Sequence, residues 1–438
     1  MDTHHERERD IPIVEETDVV VCGGGPAGVV AAIVAARQGA RTRLIELHGC
    51  LGGVWTTGSL SWIIDSANKP GLMAEITSRL DARDARRTRV EGGKNYAYDV
   101  EEMKLLLDEM CVEAGVDVRL LTRVVGAARN SDNRLSVVIT ESKSGREAWA
   151  AKVFIDATGD GDLGAIAGCG FEVGHPETGD VQPMSLMALV TGLEFDQIED
   201  YVGGSMQGPK KLLAALMEDI GVSPSYGHPT LFRIRDDLFA LMANHQYGVK
   251  CDDAAAITVA TIRGRQEVHK QVAALRALGG VWEDMRVVTT GAQIGVREGR
   301  RIHGRYEITG QDLLEGARFD DAVCRVTMGI DVHSTDPEKT KIVEAKPHRS
   351  QPYDIPLRAL LARDVDGLLM AGRCISGDFI AHSSYRVTGN AVAMGQAAGV
   401  CAALSAASGT LPHKVAWINV SECLGRINTS TETPEVSA

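Results

Sequence analysis

The chain has 438 residues, of which 44% are apolar and 24% charged, so it has the balance of a soluble globular protein and can bury a large core, most simply in two lobes. Its formal charge of −13, without a long Lys/Arg block, argues against a nucleic-acid partner. Its nine cysteines form no Cys-x-x-Cys pair, which argues against a zinc ribbon, an iron–sulfur cluster or a thioredoxin-like pair, and we expect no metal site.

The first elements are predicted close to the N-terminus. Residues 1–15 are expected to form a polar tail, because "MDTHHERERD" is charged and unlike a signal peptide. A buried strand follows at Val19–Cys22, then a glycine-rich turn, a helix that begins near Pro26, and a second strand at Thr42–Glu46. The longest apolar run contains this turn and is broken by Gly-Gly-Gly-Pro. We therefore expect a cytoplasmic protein without a membrane span.

The next segments predict a helix and several strands. Residues 98–115 carry apolar side chains at helical spacing and predict an amphipathic helix, and "VDVRLLTRVV" follows as a strand. Arg134–Glu141 and Glu147–Ala151 are candidate strands with turn residues between them, so a small antiparallel meander is predicted. "KVFIDATGDGD" predicts a further buried strand that ends in a turn at Thr158 and Gly159.

The pattern changes in the second half of the chain. Helices such as 252–277 alternate there with candidate strands such as 286–294, without a second glycine fingerprint, which predicts an inserted lobe. "DGLLMAGRCISG" returns as a strand, and "GNAVAMGQAAGVCAALSAASG" predicts a small-residue helix that can pack close to a sheet or a ligand. The predicted division is a cofactor-binding domain in two parts, 16–171 and 352–424, an inserted domain at 172–351 and a disordered tail at 425–438.

A glycine fingerprint lies between the first strand and the first helix. Gly23 allows a tight turn, Gly25 lets a pyrophosphate approach the backbone, and Gly28 lets the helix pack close to the strand. The N-terminus of the helix offers free N–H groups and a positive dipole end to the phosphates. Glu46, at the end of the second strand, can accept hydrogen bonds from both hydroxyls of an adenosine ribose and disfavours the 2′-phosphate of NADP. These features together predict a dinucleotide site.

The glycine pair Gly52-Gly53 narrows the choice of dinucleotide. Two glycines soon after the acid let the chain pass close to the second half of the ligand, and the long ribityl–flavin arm of FAD explains them better than NAD does. Cys50 and Trp55 flank the pair. Cys50 is interpreted as an apolar space-filler, with a covalent link to the flavin as the alternative. Trp55 is either packing or a platform for the substrate.

These motifs occur together in one known family. "DVVVCGGGPAGVVAA…IEL…LGG" resembles the FAD-binding domain of the glutathione-reductase-like flavoproteins. "FIDATGDGDLGAIAG", "IGVREGRRIHGRYEIT", "YDIPLRALL" and "LLMAGRCIS…AHSSYRV…AMGQAAG" resemble the later blocks of the FAD-dependent oxidoreductase family, so the resemblance covers roughly residues 17–410. It implies an α/β fold, with a Rossmann-type FAD-binding domain and an inserted α+β substrate domain.

The resemblance also implies which residues bind FAD. Gly23, Gly25, Pro26, Ala27, Gly28 and Glu46 would hold the adenosine end, and Val124 would offer its backbone to the adenine. The remaining implied contacts are Thr158, Gly159 and Asp160 near the pyrophosphate, Gly52 and Gly53 at the ribityl–flavin arm, and Gly372, Arg373, Gly389, Asn390 and Ala391 around the flavin. An Arg at position 373, where relatives often have Asp, favours a phosphate or flavin oxygen over a ribityl hydroxyl. The helix after Gly389 would point its N-terminus at the pyrimidine oxygen of the flavin.

Fewer residues are candidates for catalysis and substrate binding than for binding FAD. His333, His382 and Arg386 are the catalytic candidates, because their blocks border the flavin and the inserted lobe; a histidine would take or give a proton, and the arginine would orient the substrate. The alternative is that the histidines are structural. Arg297 and Arg301 either clamp a carboxylate or pair with nearby acids. Candidate substrate contacts are therefore Trp55, Arg297, Arg301 and Tyr353.

Three functions fit the sequence. The first is an enzyme that moves a hydride between FAD and a small organic substrate bearing a hydroxyl, amine or CH–CH group, anionic or neutral. The second is an FAD-dependent monooxygenase that uses NAD(P)H. The third is a flavin-bearing electron-transfer subunit, against which the absence of a cluster motif counts. The sequence leaves the electron acceptor and a homo-oligomeric state open.

Overall fold

A computed structural model describes residues 2–87, 95–203, 208–337 and 350–429 of the chain. The strands, in chain order, are β1 (Ile13–Cys22), β2 (Thr42–Ile45), β3 (Trp62–Ile63), β4 (Arg86–Arg87), β5 (Tyr96–Tyr98), β6 (Asp117–Arg119), β7 (Arg123–Arg129), β8 (Leu135–Ser142), β9 (Gly145–Asp156), β10 (Phe171–Glu172), β11 (Ala188–Thr191), β12 (Thr230–Arg235), β13 (Leu238–Met242), β14 (Arg286–Thr290), β15 (Arg301–Ile302), β16 (Ala322–Val326), β17 (Tyr353–Pro356) and β18 (Leu368–Met370). The helices are α1 (Pro26–Arg37), α2 (Leu72–Ala82), α3 (Val100–Glu113), α4 (Asp162–Ile166), α5 (Phe195–Ile198), α6 (Pro209–Asp219), α7 (Ala254–Ala277), α8 (Gly310–Glu315), α9 (Phe379–Tyr385), α10 (Thr388–Ser408) and α11 (Trp417–Thr429).

A seven-stranded sheet forms the centre of the protein. Its order is β6-β2-β1-β9-β8-β7, with β18 also paired to β9. The strands β6, β2, β1, β9 and β18 are parallel, whereas β7, β8 and the first half of β9 are antiparallel. The parallel strands are apolar and buried on both faces, which is why β1 and β2 lack a polar alternation over Val19–Cys22 and Leu44–Ile45. This mixed α/β architecture brings the carboxyl ends of β1, β2, β9 and β18 to one edge.

Two helices with small residues cover this sheet. α10 packs on α1 so closely that a Cβ atom on Gly395 would lie 2.2 Å from the carbonyl oxygen of Ala27, and one on Gly399 would lie 2.5 Å from that of Ala31. Glycine is therefore required at both positions by the approach of the two backbones. α10 is long and apolar enough to cross a membrane, with a mean hydropathy of 1.4, but 78% of that stretch is buried inside the protein. Its composition is accounted for by packing in the core.

A second sheet lies in the region where the sequence predicts an inserted lobe. Its four antiparallel strands have the order β12-β13-β11-β14. One of its faces is buried in a hydrophobic core of its own, in which Leu213 of α6, Phe239 of β13 and Leu275 of α7 meet Trp282. Phe232 and Ala240, which point to the other face, belong to the main core. The second sheet thus presents one face to the main core, where Phe232 stacks on Trp62 of β3.

Several element boundaries differ from the sequence-based prediction. Ile13–Glu15, predicted to lie in the tail, already belong to β1, because they pair with Ala148 and Trp149 of β9. The predicted strands at Glu147–Ala151 and "KVFID" are one strand, β9, which serves first the antiparallel and then the parallel part of the sheet. Residues 425–429, predicted to be disordered, form the end of α11, and 430–438 lie outside the described residues.

Candidate active site

A cavity of about 730 Å³ runs along the edge where the parallel strands end. Gly23 follows β1, Glu46 follows β2, Thr158 follows β9 and Gly372 follows β18, and all four line the cavity. Its far end reaches the second sheet, where Phe232 and Met242 form part of the wall. In open α/β sheets ligands bind at this carboxyl edge. The cavity therefore extends from the glycine turn after β1 to the second sheet.

The glycine turn after β1 has the geometry of a phosphate cradle. Gly23 has a φ of +99°, and a Cβ atom there would lie 2.3 Å from the carbonyl oxygen of Ala157. A Cβ on Gly28 would lie 1.8 Å from the carbonyl oxygen of Gly23, so this glycine serves the packing of the turn and does not line the cavity. A Cβ on Gly25 would have no heavy atom within 4 Å. Gly25, at the N-terminus of α1, thus faces open cavity, as a pyrophosphate site requires.

Glu46 is held in position by two backbone amides. Its carboxylate accepts hydrogen bonds from the N–H groups of Gly24 and His48, the latter at 2.7 Å. Its side chain is buried among protein atoms but contributes to the cavity wall. A carboxylate fixed in this way can accept hydrogen bonds from a ribose in a single orientation. Val124, together with Thr122 and Arg123, lines the same end of the cavity, where the family resemblance implies the adenine.

The turn after β9 supplies a second polar wall. The buried Asp156 carboxylate accepts hydrogen bonds from the N–H and hydroxyl of Thr158 and from the N–H of Gly164, and burial raises the pKa of Asp156 to about 6. Thr158, Gly159 and Asp160 line the cavity. Asp160 pairs with Arg373 at 2.9 Å, and Nη1 of Arg373 is buried without a hydrogen-bond partner in the described part of the chain. An unpartnered guanidinium N–H beside the glycine turn fits a phosphate oxygen.

The glycine pair after β2 has a different role from the one predicted for it. Gly53 lines the cavity, and its φ is +51°. A Cβ on Gly53 would lie 2.9 Å from the Cα of Gly25. Gly52 has a φ of +104°, donates its N–H to the carbonyl oxygen of Gly24 and lies off the cavity wall. The pair is therefore required by a left-handed turn that packs on the glycine turn, and only Gly53 faces the ligand space.

The flanking residues Cys50 and Trp55 also lie off the cavity. The Cys50 sulfur faces the hydroxyls of Thr56 and Thr57 at 3.7 and 3.5 Å, and this placement does not support a covalent link to the flavin. Trp55 is fully buried and stacks edge-on against Tyr98, with 6.3 Å between ring centroids. Of the two roles considered for Trp55, the structure supports packing and corrects the assignment as a substrate contact.

The end of the cavity under the second sheet is lined by charged groups. Arg297, Arg386 and His333 lie there, and the structure brings these three sequence candidates together. It adds Asp331, whose carboxylate oxygen Oδ2 lies 3.3 Å from Nε2 of His333 and 3.3 Å from Nη2 of Arg386. The side-chain oxygen of Gln182 accepts hydrogen bonds from the backbone N–H of His333, at 3.1 Å, and from Nη2 of Arg386.

Burial and charge set the protonation states in this cluster. Burial, with the nearby charge of Arg297, lowers the pKa of His333 to about 4, although Asp331 acts in the opposite direction. Burial by itself would raise the pKa of Asp331, but the hydrogen bond with His333 and the charges of the two arginines outweigh it and hold that pKa below its usual range. At neutral pH His333 is therefore a neutral imidazole beside an ionised carboxylate.

Sequence reasoning missed several residues at this end of the cavity. Tyr226 lies with its ring centroid 5.9 Å from that of His333, and burial raises its pKa to about 12. Lys210 and His228 line the same wall. His245 stacks on Tyr226 with 4.4 Å between ring centroids. These four belong to segments without a motif, and only the folded chain brings Tyr226, Lys210 and His228 to the cavity and His245 behind Tyr226.

The remaining candidates, His382, Arg301 and Tyr353, lie away from the cavity. His382 is fully buried off the cavity wall, and neither ring nitrogen has a hydrogen-bond partner among the described residues. Burial lowers the pKa of His382, so it is neutral. Arg301 is buried in an ion pair with Glu298 at 2.7 Å, and the Tyr353 hydroxyl is bonded to Ser384 at 3.1 Å. These placements correct the assignment of His382 to catalysis, and of Arg301 and Tyr353 to substrate contact.

The N-terminus of α10 is only partly at the cavity. Ala391 lines it, and so do Val387 and Thr388. Gly389 packs instead on the backbone of residues 64 and 65, where a Cβ would lie 2.4 Å from the carbonyl oxygen of Asp65. Asn390 is fully buried without a side-chain hydrogen bond within the described ranges. Gly389 and Asn390, predicted to contact the flavin, therefore lie off the cavity wall, whereas their neighbours Val387, Thr388 and Ala391 line it.

The comparisons with known proteins agree with this site. A family model described as FAD dependent oxidoreductase matches residues 18–424. Thiamine thiazole synthase of Pyrococcus abyssi is 31% identical over 162 residues, 35% of this chain and 61% of that protein. Dihydrolipoyl dehydrogenase of Trypanosoma brucei brucei is 56% identical over 45 residues, 10% of this chain and 9% of that protein. The chain thus spans less than two-thirds of the length of these relatives.

One solved structure that matches this chain is that of a geranylgeranyl bacteriochlorophyll reductase-like protein from Thermoplasma acidophilum. The match covers 94% of this chain and 83% of that chain, at 14% identity and a TM-score of 0.47. The family model, in contrast, spans nearly the whole chain and includes every element that lines the cavity. The chain therefore belongs to the FAD dependent oxidoreductase family, and it is an enzyme with FAD as its cofactor.

Proposed function

We propose that the protein transfers a hydride between a small organic substrate and FAD. The observation that carries the proposal is that one cavity contains both the phosphate cradle at Gly25 and, at its other end, the cluster of His333, Asp331 and Arg386. Bound FAD supplies the two-electron chemistry of such a reaction. The protein has to bind the substrate, orient its reacting C–H bond and move one proton.

His333 is the proposed proton acceptor. Because its Nε2 lies 3.3 Å from the Asp331 carboxylate, the neutral ring carries its hydrogen on Nε2 and leaves Nδ1 as the basic atom. When the hydride leaves a CH–OH or CH–NH group, Nδ1 of His333 takes the proton from the oxygen or nitrogen. The Asp331 carboxylate stabilises the imidazolium that forms, as in other His–carboxylate pairs.

Substrate orientation is assigned to two arginines, one in a loop after β14 of the second sheet and one after α9. We propose that residues 172–351 form a substrate domain inserted into the FAD-binding domain, a division supported by the separate four-stranded sheet and its own core. Arg297, which follows β14, and Arg386, which follows α9, would hold the polar part of the substrate near His333. Their planar guanidinium groups can fix a ligand by forked hydrogen bonds.

The direct test is anaerobic bleaching of the bound flavin by a panel of hydroxy acids, amines and sugars. We expect one class to reduce the flavin, and His333→Gln to slow that reduction by about 10²–10⁴ without loss of FAD. Unchanged reduction in this variant would contradict the role of His333. Mixing the oxidised protein with NADH and NADPH tests the alternative, since rapid bleaching by either nucleotide would indicate a monooxygenase.

A further inference from the structure

The end of the cavity under the second sheet has an excess of positive charge. Among the residues that line it, Arg297, Arg386 and Lys210 are cationic, and Asp331 is the carboxylate among them. His333 and His228 do not change this balance at neutral pH, because burial lowers the pKa of both below the ordinary 6.5. Like charges brought together in a buried site cost free energy unless an anion joins them. The site is thus built for a negatively charged ligand.

The two arginines keep hydrogen-bond donors free for that ligand. Arg297 donates to the carbonyl oxygen of Pro183 at 2.6 Å and to the hydroxyl of Ser185 at 2.9 Å, both from Nη1. Arg386 donates to Asp331 and Gln182 from Nη2, and its Nε is buried without a partner in the ranges that the structure describes. A buried unpartnered N–H costs free energy unless a ligand accepts from it. Nε of Arg386 is therefore an unpartnered donor on a side chain that lines the cavity and shares Asp331 with the proposed base.

Apolar side chains also line this cavity. Phe232 of β12, Met242 of β13 and Met187, which precedes β11, line the cavity from the second sheet. Trp62 of β3 stacks on Phe232 with 4.6 Å between ring centroids and an angle of 17° between the rings. Such a surface gains free energy by covering a hydrophobic chain or ring. The ligand space is thus amphipathic, with both cationic and apolar groups in its lining.

We infer that the substrate is a carboxylic acid with an apolar chain or ring, whose carboxylate binds Arg297 and Arg386. This inference rests on the proposed function, because it concerns the substrate of the same site. A carboxylate fits better than a phosphate dianion, because Asp331, 3.3 Å from Arg386, repels a second negative charge on the ligand. The carboxylate also offsets the two guanidinium charges that act on His333, which makes this histidine a stronger base once the substrate is bound.

The probes for this inference are benzoate, benzamide, acetate and phenyl phosphate, titrated calorimetrically into the FAD-loaded protein. We expect benzoate to bind at least about tenfold more tightly than benzamide, which has the same ring but no charge. Benzoate should also bind more tightly than acetate, which lacks the apolar body, and more tightly than phenyl phosphate. Equal affinities for benzoate and benzamide, or no binding of benzoate at all, would overturn the inference, and stronger binding of phenyl phosphate would replace the carboxylate by a phosphate.

Variants show whether the binding is at the assigned place. Arg386→Gln should weaken benzoate about tenfold or more while leaving benzamide unchanged. Arg297→Lys keeps the positive charge but loses the forked hydrogen-bond donors of the guanidinium group. This variant is used instead if a neutral substitution at either arginine prevents folding. Phe232→Ala should weaken benzoate and leave acetate unaffected. Arg363→Gln is the matched control, because this guanidinium is exposed and outside the cavity. Loss of benzoate binding in the control alone would place the carboxylate site elsewhere.

The two proposals can fail separately. Specific binding of benzoate at Arg386, together with a flavin that no carboxylic acid in the panel reduces, would support the carboxylate site and contradict hydride transfer. Reduction of the flavin by neutral substrates only, without binding of benzoate, would support hydride transfer and overturn the carboxylate inference.

Discussion

Replacing Gly25 by Ala should weaken the binding of FAD without unfolding the protein. Gly25 has φ −71° and ψ −175°, a conformation open to alanine, and no heavy atom lies within 4 Å of the added Cβ. We therefore expect the stability of the apoprotein to change by less than about 0.5 kcal/mol. The methyl group points into the cavity, where it keeps the pyrophosphate from the backbone amides. Loss of one charged hydrogen bond costs about 1.5–3 kcal/mol, so the FAD affinity should fall about tenfold to more than a hundredfold.

The assay is reconstitution of the apoprotein with FAD, followed by quenching of flavin fluorescence, with thermal unfolding measured on the same samples. Gly28→Ala is the matched control within the same turn. Its Cβ would lie 1.8 Å from the carbonyl oxygen of Gly23, so the turn must shift, at a cost of about 1–3 kcal/mol in stability. An unchanged FAD affinity in Gly25→Ala, with a native melting temperature, would refute the placement of the pyrophosphate over this residue.

Three further predictions concern other residues. Glu46→Gln should weaken FAD about tenfold or more, because the carboxylate fixed by Gly24 and His48 is lost, whereas substrate specificity should not change; equilibrium titration with FAD measures this. His382→Gln should leave the rate of flavin reduction nearly unchanged in stopped-flow experiments, in contrast to the loss of about 10²–10⁴ expected for His333→Gln. The protein should lose stability as the pH falls from 6.5 toward 4, because the lowered pKa of His333 means that the unfolded chain binds more protons at this residue than the folded chain does. Urea titrations at several pH values should show a weaker pH dependence of stability in His333→Gln than in the wild type. An identical pH dependence in the two proteins would contradict the buried neutral state of His333.

Cytoplasmic location and the absence of a nucleic-acid partner remain predictions from composition and motifs. They depend on properties of the whole chain and its surroundings, such as the formal charge of −13. The cavity bears instead on the cofactor and the substrate, because its lining residues are the groups that a bound ligand meets.

The cofactor site could be predicted from the sequence because its parts are local. Gly23, Gly25 and Gly28 lie within six residues, and the strand and helix around them are fixed by their own apolar pattern. Glu46 follows directly after the next parallel strand, so its position at the carboxyl edge is set once β1 and β2 pair. Local chemistry and a single strand pairing are sufficient to place these four residues.

The substrate end was decided only by the tertiary structure. Asp331 and Arg386 are 55 residues apart in the sequence and Gln182 is a further 149 residues before Asp331, yet these three meet within hydrogen-bond distance. Both His333 and His382 occur in family-like blocks, but one lines the cavity and the other is fully buried behind it. The sequence pattern gives the type of each side chain and predicts the helix or strand in which it lies. Which side of a helix or loop faces the cavity depends on packing between distant segments, and that packing exists only in the folded chain.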